Sequence, residues 1–198
     1  MTSPRLVLAS ASPRRRRLLE TMEVDFTVRP TNLPEARREG ESARGFVERM
    51  AREKAMAGVG EEDELLLGSD TVVVLGGRVL GKPSGPADAE EMLRRLSGRT
   101  HEVLTGVALH RSSTGRTLSR VASTDVIFRD LEEEEIEWYV STGEPLDKAG
   151  GYGIQGRAAI FIPGIRGSYS NVVGLPLETV DRLLREMGSG WRELTPRI

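Results

Sequence analysis

Lysine is scarce in this chain, and its positions mark where chemistry could sit. Of 28 basic residues only Lys54, Lys82 and Lys148 are lysines, and the others are all arginine. Lys54 stands in Arg52-Glu53-Lys54-Ala55, Lys82 in Gly81-Lys82-Pro83, and Lys148 in Asp147-Lys148-Ala149-Gly150. The sole glutamine, Gln155, follows in Gly153-Ile154-Gln155-Gly156. An ammonium is a compact, strongly hydrated point charge on a flexible stem, and a planar guanidinium fork does not replace it. These positions are the first candidates for a site.

Two carboxylates and a basic segment join them. Asp70 closes the strand expected over Leu65 to Ser69. A carboxylate at the end of a buried strand is partly desolvated and needs a cation or hydrogen-bond donors. It could bind a divalent metal or take a proton from water. Glu35, in the polar stretch 31–40, could supply a second metal oxygen. In Ser10-Ala11-Ser12-Pro13-Arg14-Arg15 a strand feeds a capped helix, which offers free backbone N–H groups and the positive dipole end to an anion. Ser10 adds a hydroxyl there, and Arg14 and Arg15 add forked donors suited to phosphate oxygens. Arg16 and Arg17 read as a surface run.

Composition narrows the chemistry. A net charge of −2 over 198 residues argues against a general nucleic-acid binder. With no cysteine, thiolate nucleophiles, disulfides and cysteine-bound metals are excluded. His101 and His110 are not at metal-ligand spacing, so carboxylates and cations must carry any catalysis, with or without a hard metal ion. No stretch approaches the roughly 20 apolar residues of a membrane helix. The short apolar run 6–9 has its basic cluster behind it, unlike a leader. We expect a cytoplasmic protein with neither nucleic-acid nor membrane partners.

The elements that must position these residues alternate. Strands are expected at 5–9, 26–29 and 65–69, the last ending at Asp70-Thr71. A hairpin is expected about Gly76-Gly77, with long strands at 102–109 and 118–128 and a short one at 158–162. Helices are expected after Ser12-Pro13, at 42–57, 86–96 and 132–139, and from near Pro176. A glycine-rich loop covers 143–156. The pattern reads as α/β around a mixed sheet, one domain over 1–198 with no separable linker. His101 is expected to be a satisfied strand histidine, and Lys148 either holds the glycine-rich loop or is exposed. Two familiar motifs fail in context. Gly76-x4-Gly81-Lys82 puts Pro83 where a Walker loop needs a hydroxyl, and Gly151-x-Gly153-x-x-Gly156 lacks the strand before and helix after it that a dinucleotide fingerprint requires.

Taken together, further motifs resemble the Maf family. They are Ser-x-Ser-Pro-Arg-Arg, Ala51-Arg52-Glu53-Lys54-Ala55, Gly68-Ser69-Asp70-Thr71-Val72, Gly81-Lys82-Pro83 and Leu96-Ser97-Gly98-x-Thr100-His101. After these come 143–150, Gly167-Ser168-Tyr169 and 171–176, all in family order. The resemblance implies an elongated mixed sheet flanked by helices, with two lobes about a central cleft as in the inosine-triphosphate pyrophosphatases. It implies a nucleoside triphosphate pyrophosphatase, and the stretch 149–156 resembles the branch acting on dTTP and UTP. The proton acceptor then falls on Asp70, and the specificity positions on Arg14, Thr71 and Gln155. Ser10, Arg15, Glu35, Lys54 and Lys82 take the other polar cleft positions. Asp70 and Glu35 become the ligands of Mg2+ or Mn2+, although Pro34 interrupts the acidic pair often found at that segment. A homodimer is implied as well. Modified pyrimidine nucleotides remain open as substrates, and so does a nucleotide-binding regulator of division with little hydrolysis.

Overall fold

The computed structural model describes residues 4–58, 60 and 63–195. Its frame is a seven-stranded mixed sheet. β1 (Arg5–Leu8) buries three of its four side chains and pairs in parallel with β2 (Phe26–Val28) and with the start of β3 (Glu64–Leu75). β4 (Arg78–Leu80) folds back on β3 through Gly76 and Gly77, both in the left-handed region that this tight turn requires. β5 (Thr100–Arg111) lies beside β3, β6 (Arg116–Ile127) beside β5, and β7 (Gly164–Arg166) closes the order, antiparallel to β6. Antiparallel and parallel pairs in one sheet, with helices between strands, make the α/β class expected from the pattern.

By internal contacts the chain forms two compact units, each discontinuous in sequence. The first takes in the chain up to Asp70, Thr105–Ala122, and the chain from Gly174 onward. The second is Thr71–Leu104 with Ser123–Val173. In the first unit, α1 (Pro13–Glu20) starts where Ser12 Oγ accepts from the Arg15 backbone N–H, with Pro13 at the opening position. α2 (Ala43–Ala57) is capped by Ser42 and buries Phe46, Val47, Met50, Ala51, Lys54 and Ala55. Phe46, Met50 and Lys54 are four residues apart, so the lysine continues the inward row of the helix.

Two glycines set where α2 rests. A Cβ on Gly68 would lie 2.1 Å from the Ala51 carbonyl oxygen, and one on Gly106 would lie 2.1 Å from that of Val47. The helix backbone therefore lies directly on β3 and β5, a distance no side chain permits. In the second unit, α3 (Pro86–Leu96) and α4 (Glu133–Ser141) bury Leu93, Leu96, Ile136 and Tyr139 in one core with Val73, Phe128, Tyr152 and Phe161. α5 (Tyr169–Val173) completes that unit. α6 (Leu177–Glu186) and α7 (Trp191–Leu194) belong to the first.

Two expected elements are corrected. β3 does not end at Asp70: it runs twelve residues, to Leu75. Gly68-Ser69-Asp70 interrupts the apolar run, yet pairing with β1 ends at Leu67, pairing with β4 begins at Val73, and the backbone stays extended between them. The stretch expected as a strand at 158–162 is a 3-10 turn, Arg157–Phe161, and the strand there is β7. Ala158 and Phe161 are buried three residues apart, which is helical rather than strand spacing. Pro163 then forces the chain out of the turn.

Candidate active site

A strand shows one face every second residue, so Gly68 and Asp70 point the same way from β3. α2 lies on Gly68, and the next inward residue beyond Ala51 is Lys54. Its stem is thus delivered to Asp70: Lys54 Nζ donates to Asp70 Oδ1 at 2.7 Å and to Glu35 Oε1 at 2.6 Å. Lys54 and Asp70 are each only 6% exposed, whereas the Glu35 side chain is half exposed. Burial pushes the Asp70 carboxyl above its ordinary value; Lys54 and Arg15 pull it back, and Glu35 pushes it up again. Desolvation wins, so the proton is held more tightly than by a surface aspartate.

A second set of donors stands in the same unit. Arg15 Nε donates to the Gly174 carbonyl at 2.8 Å and its Nη1 to Ser10 Oγ at 3.2 Å. Ser69 Oγ donates to the same carbonyl at 3.0 Å, and the Ser12 N–H to Ser10 Oγ at 3.2 Å. Burial lowers the Arg15 guanidinium, against the raising fields of Asp70 and Glu35. Arg14, one residue earlier on α1, is partly buried, and its positive charge also lowers Arg15. Ser10, Arg15, Glu35, Lys54 and Asp70 are therefore brought into one electrostatic neighbourhood. Sequence reading missed Ser69 and Gly174 as parts of it. Both lie inside motifs quoted for the family resemblance, which was the one signal available.

The remaining candidates belong to the second unit. Thr71 follows Asp70 on β3 and is partly buried, while Lys82, just past β4, and Gln155 are exposed. Lys148 holds the loop: its Nζ donates to the Glu144 carbonyl at 2.6 Å and to Asp147 Oδ1 at 2.6 Å. Its stem lies so close to Gly153 that a Cβ there would sit 2.6 Å from Lys148 Cε. Around the same loop, the Gly153 N–H donates to Tyr139 Oη and the Arg157 N–H to Glu144 Oε2. His101 departs from expectation. Its Nε2 meets the Tyr152 hydroxyl at 2.7 Å, but Nδ1 has no partner among the described residues. Burial lowers its pKa to about 4, so the ring is neutral near pH 7.

The donor set suits a hard cation that shares its ligands with a substrate. Glu35 Oε1 and Asp70 Oδ1 converge on one ammonium, so they can also face one metal ion. Mg2+ takes one or two carboxylates, with water and phosphate oxygens for the rest. Among the described residues no group of three His, Cys, Asp or Glu is placed to hold a metal, so an all-protein cage is not offered. Among them also, no helix is long and apolar enough to cross a membrane.

A buried lysine–carboxylate pair beside a capped, arginine-bearing helix on a mixed sheet suits an enzyme of polyanionic phosphate esters. Residues 5–187 match the Maf family (Maf-like protein), and the chain belongs to that family. Its relatives are close over almost their whole length. A protein of Syntrophus aciditrophicus is 50% identical over 96% of this chain and 93% of its own. One of Anaeromyxobacter dehalogenans is 54% identical over 94% and 95%, and one of Moorella thermoacetica is 52% identical over 93% and 95%. All three are named dTTP/UTP pyrophosphatase.

Proposed function

We propose that the protein hydrolyses dTTP and UTP to the nucleoside monophosphate and pyrophosphate. The observation that carries the reading is the buried Lys54 ammonium shared between Asp70 and Glu35. Binding a nucleotide needs cations; a desolvated carboxylate beside them serves a reaction. The full-length likeness to relatives named for this activity supports the substrate pair.

Cleavage between the α- and β-phosphates builds negative charge on the departing pyrophosphate, and neutralising that charge is the main task in phosphoryl transfer. Lys54, Lys82 and Arg15 serve it, with Ser10 and Arg14 holding phosphate oxygens. Asp70 orients or deprotonates the attacking water, and its raised affinity for a proton suits a base better than an ordinary aspartate would. Glu35 and Asp70 would hold Mg2+ or Mn2+, which supplies charge neutralisation on the phosphates. Thymine and uracil present a carbonyl and an N–H side by side, and the Gln155 amide offers the complementary pair. Thr71 supports the same selection.

A panel of nucleoside triphosphates with Mg2+ or Mn2+, followed by pyrophosphate release, tests this. Release fastest with dTTP and UTP is expected. Binding without release from any nucleotide would instead make the protein a nucleotide-sensing regulator.

A further inference from the structure

Glu35 meets Lys54, yet it comes from a segment without regular structure between β2 and α2 in which residues 34–40 are all exposed. Such a loop does not by itself hold a carboxylate on a buried ammonium against its own conformational entropy. One restraint on it comes from α2. Arg49 Nε and Nη2 donate to the two oxygens of Glu41 at 2.7 and 2.8 Å, a fork-to-fork pair. The same Nη2 donates to the Ala36 carbonyl at 3.0 Å, and Nη1 reaches both oxygens of Glu53 at 3.3 and 3.2 Å. Glu41 also accepts from the Arg38 backbone N–H at 3.0 Å, and Arg37 donates to its carbonyl.

Exposure separates this cluster from an ordinary surface pair. The Arg49 and Glu41 side chains are 17% and 13% exposed, against 62% and 47% for Arg16 and Glu20. Arg49 and the Arg38 N–H hold the Glu41 carboxyl at about 2, so the fork stays charged at any working pH. Ala36 adjoins Glu35, and Arg49 stands five residues before Lys54 on the same helix. One helix thus carries both the cation that Glu35 meets and the fork that fixes the neighbouring backbone.

We infer that Arg49 is a positioning residue for Glu35: its guanidinium, locked by Glu41, holds the Ala36 carbonyl and so keeps the Glu35 carboxylate on Lys54. This rests on the role given to Glu35 above. The test is a double-mutant cycle in the full chain, with Arg49→Gln, Glu35→Gln and the pair, read as kcat/KM for dTTP over a Mn2+ titration. Partners standing behind a ligating carboxylate typically change metal affinity or activity by about 10–100-fold. We expect each single change to cost about tenfold and the double to cost no more than Glu35→Gln alone, because residues acting as one unit are not additive. Arg49→Lys keeps the charge and loses the fork, so it should fall with Arg49→Gln. Trypsin gives a readout free of activity: cleavage after Arg37 or Arg38 should quicken several-fold in Arg49→Gln.

Losses that multiply in the double variant, or an unchanged Arg49→Gln with unchanged cleavage, would overturn the inference and leave the role of Glu35 standing. A Glu35→Gln variant as active as the parent would overturn the role of Glu35 itself. Should Arg49→Gln fail to fold, Glu41→Gln opens the same fork from its other side and must show the same non-additivity.

Discussion

Replacing Asp70 by Asn removes one charge from a position only 6% exposed while keeping the shape of the side chain. The amide oxygen can still accept from Lys54, and Lys54 keeps Glu35 at 2.6 Å, so the buried ammonium retains two acceptors. Folding raises the Asp70 pKa, chiefly by burial. A raised carboxyl pKa contributes stability that is complete below the unfolded value and is lost as pH rises through the folded value. Ionising Asp70 inside the fold is thus a cost that is absent at low pH and appears as pH rises through the folded value. Removing such a cost typically yields about 1 kcal/mol, which in a chain of this size moves Tm by roughly 2–4 °C. The Asn variant should unfold no lower than the parent at pH 7, with the difference shrinking towards pH 4. Loss of a general base should lower turnover at least about a hundredfold. Calorimetry across pH and dTTP turnover on the same preparations measure both. A variant that unfolds several degrees lower with activity lost in proportion would make Asp70 a structural residue, and near-normal turnover would remove it as the base.

The opposite partner should behave oppositely. Lys54→Ala leaves Asp70 buried without its cation, and breaking a buried pair from one side costs about 3 kcal/mol or more; an unchanged unfolding midpoint in urea would contradict this. Gln155→Ala should lose about 1–3 kcal/mol of transition-state stabilisation with dTTP and little with ATP, since only the pyrimidine edge leaves groups unsatisfied. Equal losses on both nucleotides would end the selectivity role. Gly68→Ala should cost about 3 kcal/mol, because its Cβ meets the Ala51 carbonyl at 2.1 Å. Gly81→Ala, which meets nothing within 4 Å, should stay near the parent in the same urea titration.

Residue types carried much of the site and little of its assembly. Lys54, Asp70, Arg15 and Ser10 stood out by type and neighbours, because desolvated charge and a capped helix start leave local marks. That Lys54 meets Asp70 was not legible, since it depends on α2 resting on Gly68, a long-range contact. The continuation of β3 through Asp70 was hidden for the same reason: partners, not side-chain polarity, keep a strand extended. Residues 158–162 misled because an apolar run of five suits a strand and a helical turn equally. His101 is held by Tyr152, fifty-one residues along the chain, a partner that no local pattern announces. Arg49 looked like one arginine among many, and only its burial against Glu41 sets it apart.

Hydrolysis between the α- and β-phosphates is decided by its products. The purified protein with Mg2+ and dTTP should release pyrophosphate and dTMP in equal amounts, with orthophosphate at background and all release lost in Asp70→Asn. Orthophosphate and dTDP as the products, or pyrophosphate release that survives in Asp70→Asn, would contradict the account.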